Sequence, residues 1–128
     1  MTKFIDVTVP LSAELPTFPG DPPFQVDVTH RIGNGDSYNV ARMTLGTHAG
    51  THVDAPFHFI PDGSTIDELA LEILIGKVRV ADLLGRDVVE RADLEALDLR
   101  DDLRVLLKTR NSGLLRQSSF QEDYVYLA

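Results

Sequence analysis

Residues 48–58 constrain this chain's fold more than any other stretch: His48-Ala49-Gly50-Thr51-His52-Val53-Asp54-Ala55-Pro56-Phe57-His58. Three of its four histidines fall within these eleven residues. A spacing of four would put His48 and His52 on one face of a helix. Gly46, Thr47, Gly50, Thr51 and Pro56 all oppose a helix, however. In an extended chain the even-numbered positions from 48 to 58 share one face, so three imidazoles and the Asp54 carboxylate point the same way. A straight strand would hold the Cα atoms of His48 and His52 roughly 13 Å apart. That is too far for both to reach one ion, so a bend or bulge is expected near Gly50.

Imidazole is the commonest metal ligand and the usual general base near neutral pH. Imidazoles together with a carboxylate suit zinc, manganese or ferrous iron. A divalent ion held there lowers the pKa of a bound water from about 15.7 towards about 7. His58 lies beyond Pro56, in position to serve as base towards that water and as acid to a leaving amine. The chain has no cysteine, so a thiolate nucleophile, a Cys-ligated metal and a disulfide framework are excluded. No serine sits in a nucleophile elbow, which leaves attack by activated water on an amide, lactam or ester. His30 stands apart at a strand end and reads as structural.

The rest of the chain bounds the architecture. It has 128 residues, enough for one domain with its own core, and residues 1–128 are read as a single domain. Twelve Lys and Arg against twenty Asp and Glu give a net charge of −8, which argues against binding nucleic-acid phosphates. No leader-like apolar run follows a basic start, and no apolar stretch is long enough to span a membrane. A cytoplasmic protein with no membrane partner is expected. Strands are expected over residues 4–11, 24–30, 38–46 and 103–109. A buried strand bent at Gly76 is expected over 73–84. Short helical segments should begin at Ser64 or Thr65 and cover 91–97. Residues 15–23 hold four of the seven prolines and form a stiff, extended loop. Strands outnumber helices and the two are mixed, so the class is α/β.

The pattern HxGTHxDxPxH, matched by His48, Gly50, Thr51, His52, Asp54, Pro56 and His58, resembles the cyclase family of metal-dependent hydrolases. That family includes bacterial kynurenine formamidases (arylformamidases), isatin hydrolases and polyketide cyclases. Phe18-Pro19-Gly20-Asp21 is similar to the family's aromatic-Pro-Gly-Asp loop. Residues 39–45 and 62–69 are similar to the segments on either side of the motif. The resemblance implies a swivelling β/β/α cyclase-like domain, a mixed sheet with few short helices, assembled as a homodimer or higher oligomer. It implies that His48, His52 and Asp54 bind a divalent metal, zinc or manganese, and that His58 is catalytic. It also implies that Phe18 lines the pocket of a small-molecule substrate, while Gly50, Thr51 and Pro56 shape the site. Phe57 and Phe59 flank His58 and read equally well as packing.

Family members run on past the point matching Ala128, and their later segment carries a further histidine and glutamate at the metal. This chain has no histidine after His58. It therefore resembles the N-terminal part of a member, truncated at its C-terminal side. The expected activity is hydrolysis of the C–N bond of a small aromatic formamide or cyclic amide. The alternatives are a silent fragment with a partial metal site, or a lactone or polyketide cyclase.

Overall fold

The computed structural model describes residues 4–99 and 102–128. The chain divides into two compact units. One comprises Met1–Val53 with Ser118–Phe120, the other Asp54–Gln117 with Gln121–Ala128.

The first unit is organised around an antiparallel hairpin of β1 (Gln25–His30) and β2 (Val40–Thr44). Apolar and polar residues alternate along β1, which suits a pleated ribbon. The turn signal Gly33-Asn34-Gly35-Asp36 becomes a 3-10 turn over Ile32–Asn34, closed by Gly35 at φ 96°, a left-handed conformation that glycine adopts without penalty. Asp36 Oδ2 and Asn39 Oδ1 accept the backbone N–H groups of Arg31 and Ile32 at 2.7 and 2.9 Å. A register shift between Val28 and His30 bends the strand end.

Residues 4–11 form no strand. A strand needs a partner for its ladder. Here the Val9 N–H instead donates to Thr51 Oγ1 at 3.0 Å, across 42 residues of sequence.

The second unit contains two parallel strand pairs. Strand β3 (Arg79–Asp82) pairs with β5 (Val105–Lys108), and β4 (Val88–Val89) pairs with β6 (Tyr126–Leu127). Parallel strands require a crossover, and helix α2 (Arg91–Ala96) lies between β4 and β5 in sequence. Its first turn is capped by Asp93, whose Oδ2 accepts the Glu90 N–H at 3.0 Å. The core of this unit is Leu83, Val89 and Val125, with Leu94 and Leu107 packed against it.

The expected buried strand over 73–84 is much shorter than that. Residues Leu71–Leu74 form one helical turn, α1, and only 79–82 pair as strand. Within β3 only Ala81 is buried. Gly76 (φ 156°) is a bend, and Arg104 crosses it, its Nε donating to the Ile73 carbonyl at 2.8 Å. Beyond β5 the chain winds into a 3-10 helix, Arg110–Arg116. The Asn111 side chain acts there as a strand edge. Its Nδ2 donates to the Val125 carbonyl at 2.6 Å, and its Oδ1 accepts the Val125 N–H at 2.7 Å. Among the described residues no helix is long and apolar enough to cross a membrane.

Candidate metal centre

The motif opens on a tight turn in which the Ala49 N–H donates to the Gly46 carbonyl at 3.1 Å. Gly46 is itself held by the proline-rich loop, its N–H donating to the Pro22 carbonyl at 3.3 Å. Gly50 then takes φ 63°, a region costly to any residue with a Cβ. This is the bend that the spacing demanded, and the segment is a turn rather than a strand. A shared strand face therefore does not explain how the histidines converge.

Convergence of His48 and His52 comes from that turn. Their rings lie edge to face with centroids 5.1 Å apart, and His48 Nδ1 is 3.3 Å from His52 Nε2. On its other side, His52 Nδ1 contacts the Gly50 carbonyl at 2.9 Å. A carbonyl oxygen can only accept, so the proton sits on His52 Nδ1. In the neutral ring the Nε2 lone pair then faces His48. This is how metal-ligating histidines are oriented, by a hydrogen bond to the nitrogen that does not ligate.

The spacing fits a cation. Two nitrogens each 2.0–2.1 Å from a tetrahedral zinc lie about 3.3–3.4 Å apart, the separation found here. His48, Asp54 and His58 each offer one ligand atom, and these three atoms lie within 4.8 Å of one another. Two atoms bound to one ion at 2.1 Å span at most about 4.2 Å, so small side-chain rotations suffice. Asp54 and His58 are exposed and His48 is partly buried, leaving the group open to an incoming molecule. His58, expected as a base, thus stands in one cluster with two expected ligands. His52 joins through its contact with His48. His30 lies outside this group, beside Tyr38 with ring centroids 4.9 Å apart.

The glycine, threonine and proline of the motif have separate roles. A Cβ on Gly50 would meet Leu11, Leu15 and Val9 side chains, all at 3.2 Å. Gly50 therefore faces residues 9–15 and lets that apolar stretch close on the turn; it does not clear space for a metal. Thr51 fixes the same stretch through Val9. Pro56 begins the 3-10 turn Pro56–His58, where its missing N–H costs nothing. That turn is closed by His58 N–H to the Ala55 carbonyl (2.9 Å) and Phe57 N–H to the Ser64 carbonyl (3.1 Å).

Phe18 opens the turn Phe18-Pro19-Gly20-Asp21, closed by the Asp21 N–H on the Phe18 carbonyl at 3.0 Å, with Gly20 at φ 100°. Proline followed by a positive-φ glycine is the signature of a type II turn. Phe57 and Phe59 are exposed rather than core, and the Phe59 ring lies against that of His58 with centroids 4.1 Å apart.

Two residues escaped sequence reasoning. Phe120 sets its ring edge-on to Phe18, centroids 5.2 Å apart at 74°, and no local pattern announces a contact across 102 positions. Gly63 lies so close to the His58 turn that a Cβ would sit 2.7 Å from the Pro56 carbonyl carbon. Its only signal was the turn dipeptide Asp62-Gly63. After it, Thr65 caps the 3-10 turn Ile66–Glu68, with its N–H donating to Glu68 Oε2 at 2.9 Å. The Thr65 hydroxyl donates to Asp67 Oδ1 at 2.7 Å and holds that carboxyl below its ordinary range.

A family model described as "Putative cyclase" matches residues 5–126. The chain belongs to this cyclase family. Among curated relatives, it is 36% identical over 112 residues to kynurenine formamidase of Bacillus mycoides (strain KBAB4), a match spanning 88% of this chain and 54% of that protein. The kynurenine formamidase of Bacillus anthracis gives the same identity and coverage. Among solved structures, one described as "potential metal-dependent hydrolase with cyclase activity" superposes with a TM-score of 0.75 at 29% identity, covering 97% of this chain and 57% of that one. A second, a "predicted metal-dependent hydrolase from Bacillus stearothermophilus", gives 0.74 at 27% identity, covering 97% and 58%. The fold is thus the cyclase-like arrangement of small mixed sheets with few helices. The chain spans about half the length of the relatives it matches.

Proposed function

We propose that this chain carries the metal-binding part of a hydrolase that cleaves the C–N bond of a small aromatic formamide or cyclic amide. His48, His52 and Asp54 hold one divalent ion, zinc or manganese, and His58 moves the proton. The observation that carries this reading is the His52 ring, anchored at Nδ1 by the Gly50 carbonyl with Nε2 turned to His48 Nδ1 at 3.3 Å. The printed names of the Bacillus relatives supply the formamide class.

When bound, the ion supplies Lewis acidity and a water of lowered pKa. The Asp54 carboxylate offsets cationic charge that two neutral imidazoles leave uncompensated. His58 takes the proton of the attacking water, whose oxygen bonds to the carbonyl carbon. The C–N bond breaks, and His58 returns the proton to the departing nitrogen. The Phe18 ring offers an aromatic edge and face for a planar substrate. The assembled enzyme is proposed to be a homodimer.

Metal analysis of protein purified without chelator, beside hydrolysis of an aryl formamide, tests this. His52→Ala and Asp54→Asn should lose the metal. His58→Ala should keep it and lose turnover. Full occupancy in His52→Ala would sink the ligand assignment. A second reading rests on the 54% coverage of the Bacillus protein: the chain alone binds metal weakly and turns nothing over. Lactone or polyketide cyclisation at the same centre is separated from amide hydrolysis by which substrate is consumed.

A further inference from the structure

Lys77, Arg79 and Arg104 come together at the amino end of the parallel pair β3–β5, where the Arg79 N–H donates to the Arg104 carbonyl at 3.0 Å. With Val78, Asp102 and Leu103 they line an open cleft of about 310 Å³. All six residues belong to the second unit, and none is part of the histidine motif. Three cations meet one carboxylate there, in a chain whose net charge is −8.

The cations are held differently. Arg79 Nη1 donates to Asp102 Oδ2 at 2.8 Å and to the Asp98 carbonyl at 3.3 Å. Arg104 is tied through its Nε, which donates to the Ile73 carbonyl at 2.8 Å. Its guanidinium lies over Gly76, where a Cβ would sit 2.5 Å from Nη1 and 2.8 Å from Cζ. Gly76 is therefore a seat for that group. Arg104 is partly buried, yet among the described residues neither it nor Lys77 enters an ion pair. Arg42, Arg86, Arg91, Lys108 and Arg110 each meet a carboxylate.

A seated, partly desolvated guanidinium without a counter-ion is unfavourable, although the chain has twenty Asp and Glu. An anionic ligand removes that cost. The guanidinium fork matches the oxygens of phosphate and carboxylate alike, and charge separates the two. Three cations less the one carboxylate leave two positive charges in the cleft. A phosphate group carries about −1.5 to −2 at pH 7 and neutralises both, whereas a carboxylate neutralises one. Val78 and Leu103, 46% and 88% exposed, set apolar surface beside the charges. That suits the organic part of a small ligand, and the volume lies at the small end of ligand pockets, about 300–1,000 Å³.

We propose that this cleft binds a small phosphomonoester, with Arg104 and Lys77 as its main contacts. The inference stands apart from the proposed hydrolysis.

The test titrates the 128-residue chain with inorganic phosphate, with and without added zinc, and follows amide NMR shifts. Amides of residues 77–79 and 102–104 should move in both series. Arg104→Gln should weaken binding about tenfold or more, the effect of losing one charged hydrogen bond. Lys77→Gln alters an exposed side chain with no ion pair to lose, and should weaken binding about threefold while β3–β5 amides keep their positions. Lys108→Gln removes the ion pair with Asp82 at the other end of the same strands and should bind phosphate as the parent chain does. Acetate should bind about tenfold more weakly than phosphate or worse. Glycerol 3-phosphate and vesicles of phosphatidic acid in phosphatidylcholine carry the same group, and binding that is lost in Arg104→Gln identifies the source. Four results would each overturn the proposal. These are shifts spread over all the lysines and arginines, equal weakening by Lys108→Gln, shifts that appear only with zinc, and acetate binding as tightly as phosphate. Hydrolysis is not read, so the catalytic reading stands or falls separately.

Discussion

The two ends of the histidine motif are built by different means. At its start, the His48–His52 turn is shaped by distant sequence. Gly50 sits against Val9, Leu11 and Leu15, Thr51 accepts from Val9, and Gly46 donates to Pro22. At its end, the His58 turn is shaped by neighbours. Pro56 starts it, Ala55 and Ser64 supply its acceptors, and Gly63 lies against it. A ligand pair held by long-range contacts depends on the whole unit being folded. A turn held by residues within about eight positions pays little loop-closure entropy and can form on its own. The two histidine groups should therefore respond separately to perturbation.

Gly50→Val is the hardest blow to this contrast. A β-branched side chain at φ 63° with apolar neighbours at 3.2 Å combines left-handed strain with overpacking, about 2–5 kcal/mol together. Metal affinity should fall by two orders of magnitude or more, as measured by zinc titration. The His58 turn should stay protected in amide exchange at Ile60, whose N–H donates to the Pro56 carbonyl. Equal loss at both ends would show that the motif is one cooperative piece.

Gly63→Ala is the mirror experiment. Its Cβ meets main chain rather than a flexible side chain, so an overpacking cost of about 1–3 kcal/mol is expected. Turnover should drop while zinc binding by His48 and His52 changes little. Thr51→Val removes one hydrogen bond from the distant stretch and should cost about 1 kcal/mol, visible in denaturant unfolding and as weaker zinc binding. Phe120→Ala removes an aromatic pair worth about 0.5–1.5 kcal/mol. It should raise KM for an aryl formamide more than it lowers kcat, since Phe18 loses its support but the metal does not.

The smallest effect concerns pH and the local side of the contrast. The Thr65 hydroxyl bond depresses the folded-state pKa of Asp67. A depressed carboxylate contributes stability that is fully present above the unfolded pKa and is lost as pH falls through the folded value. Thr65→Val should move the Asp67 titration, followed by NMR, upward, because the largest cause of its depression is removed while the backbone hydrogen bond stays. Behaviour near neutral pH should not change.

Much of this was legible in the residues themselves. Alternation in 24–30 and the two-faced pattern of 38–46 marked two strands, the glycines at 33 and 35 marked a turn between them, and the spacing over 91–97 marked a short helix. These signals are local periodicities and turn residues. The expected strand over 4–11 and the long buried strand over 73–84 failed for one shared reason. Whether an apolar run becomes a strand depends on a partner elsewhere, and Val9 found a threonine hydroxyl instead of a ladder.

The same division holds at the metal centre. The sequence by itself determined which donors are present, that no thiolate competes with them, and that a glycine bend must bring His48 and His52 together, because ligand chemistry and chain geometry are local properties. Only the tertiary structure decided that Gly50 faces residues 9–15 and that Phe120 backs Phe18. Those are contacts between separate stretches of chain, and packing rather than propensity selects them.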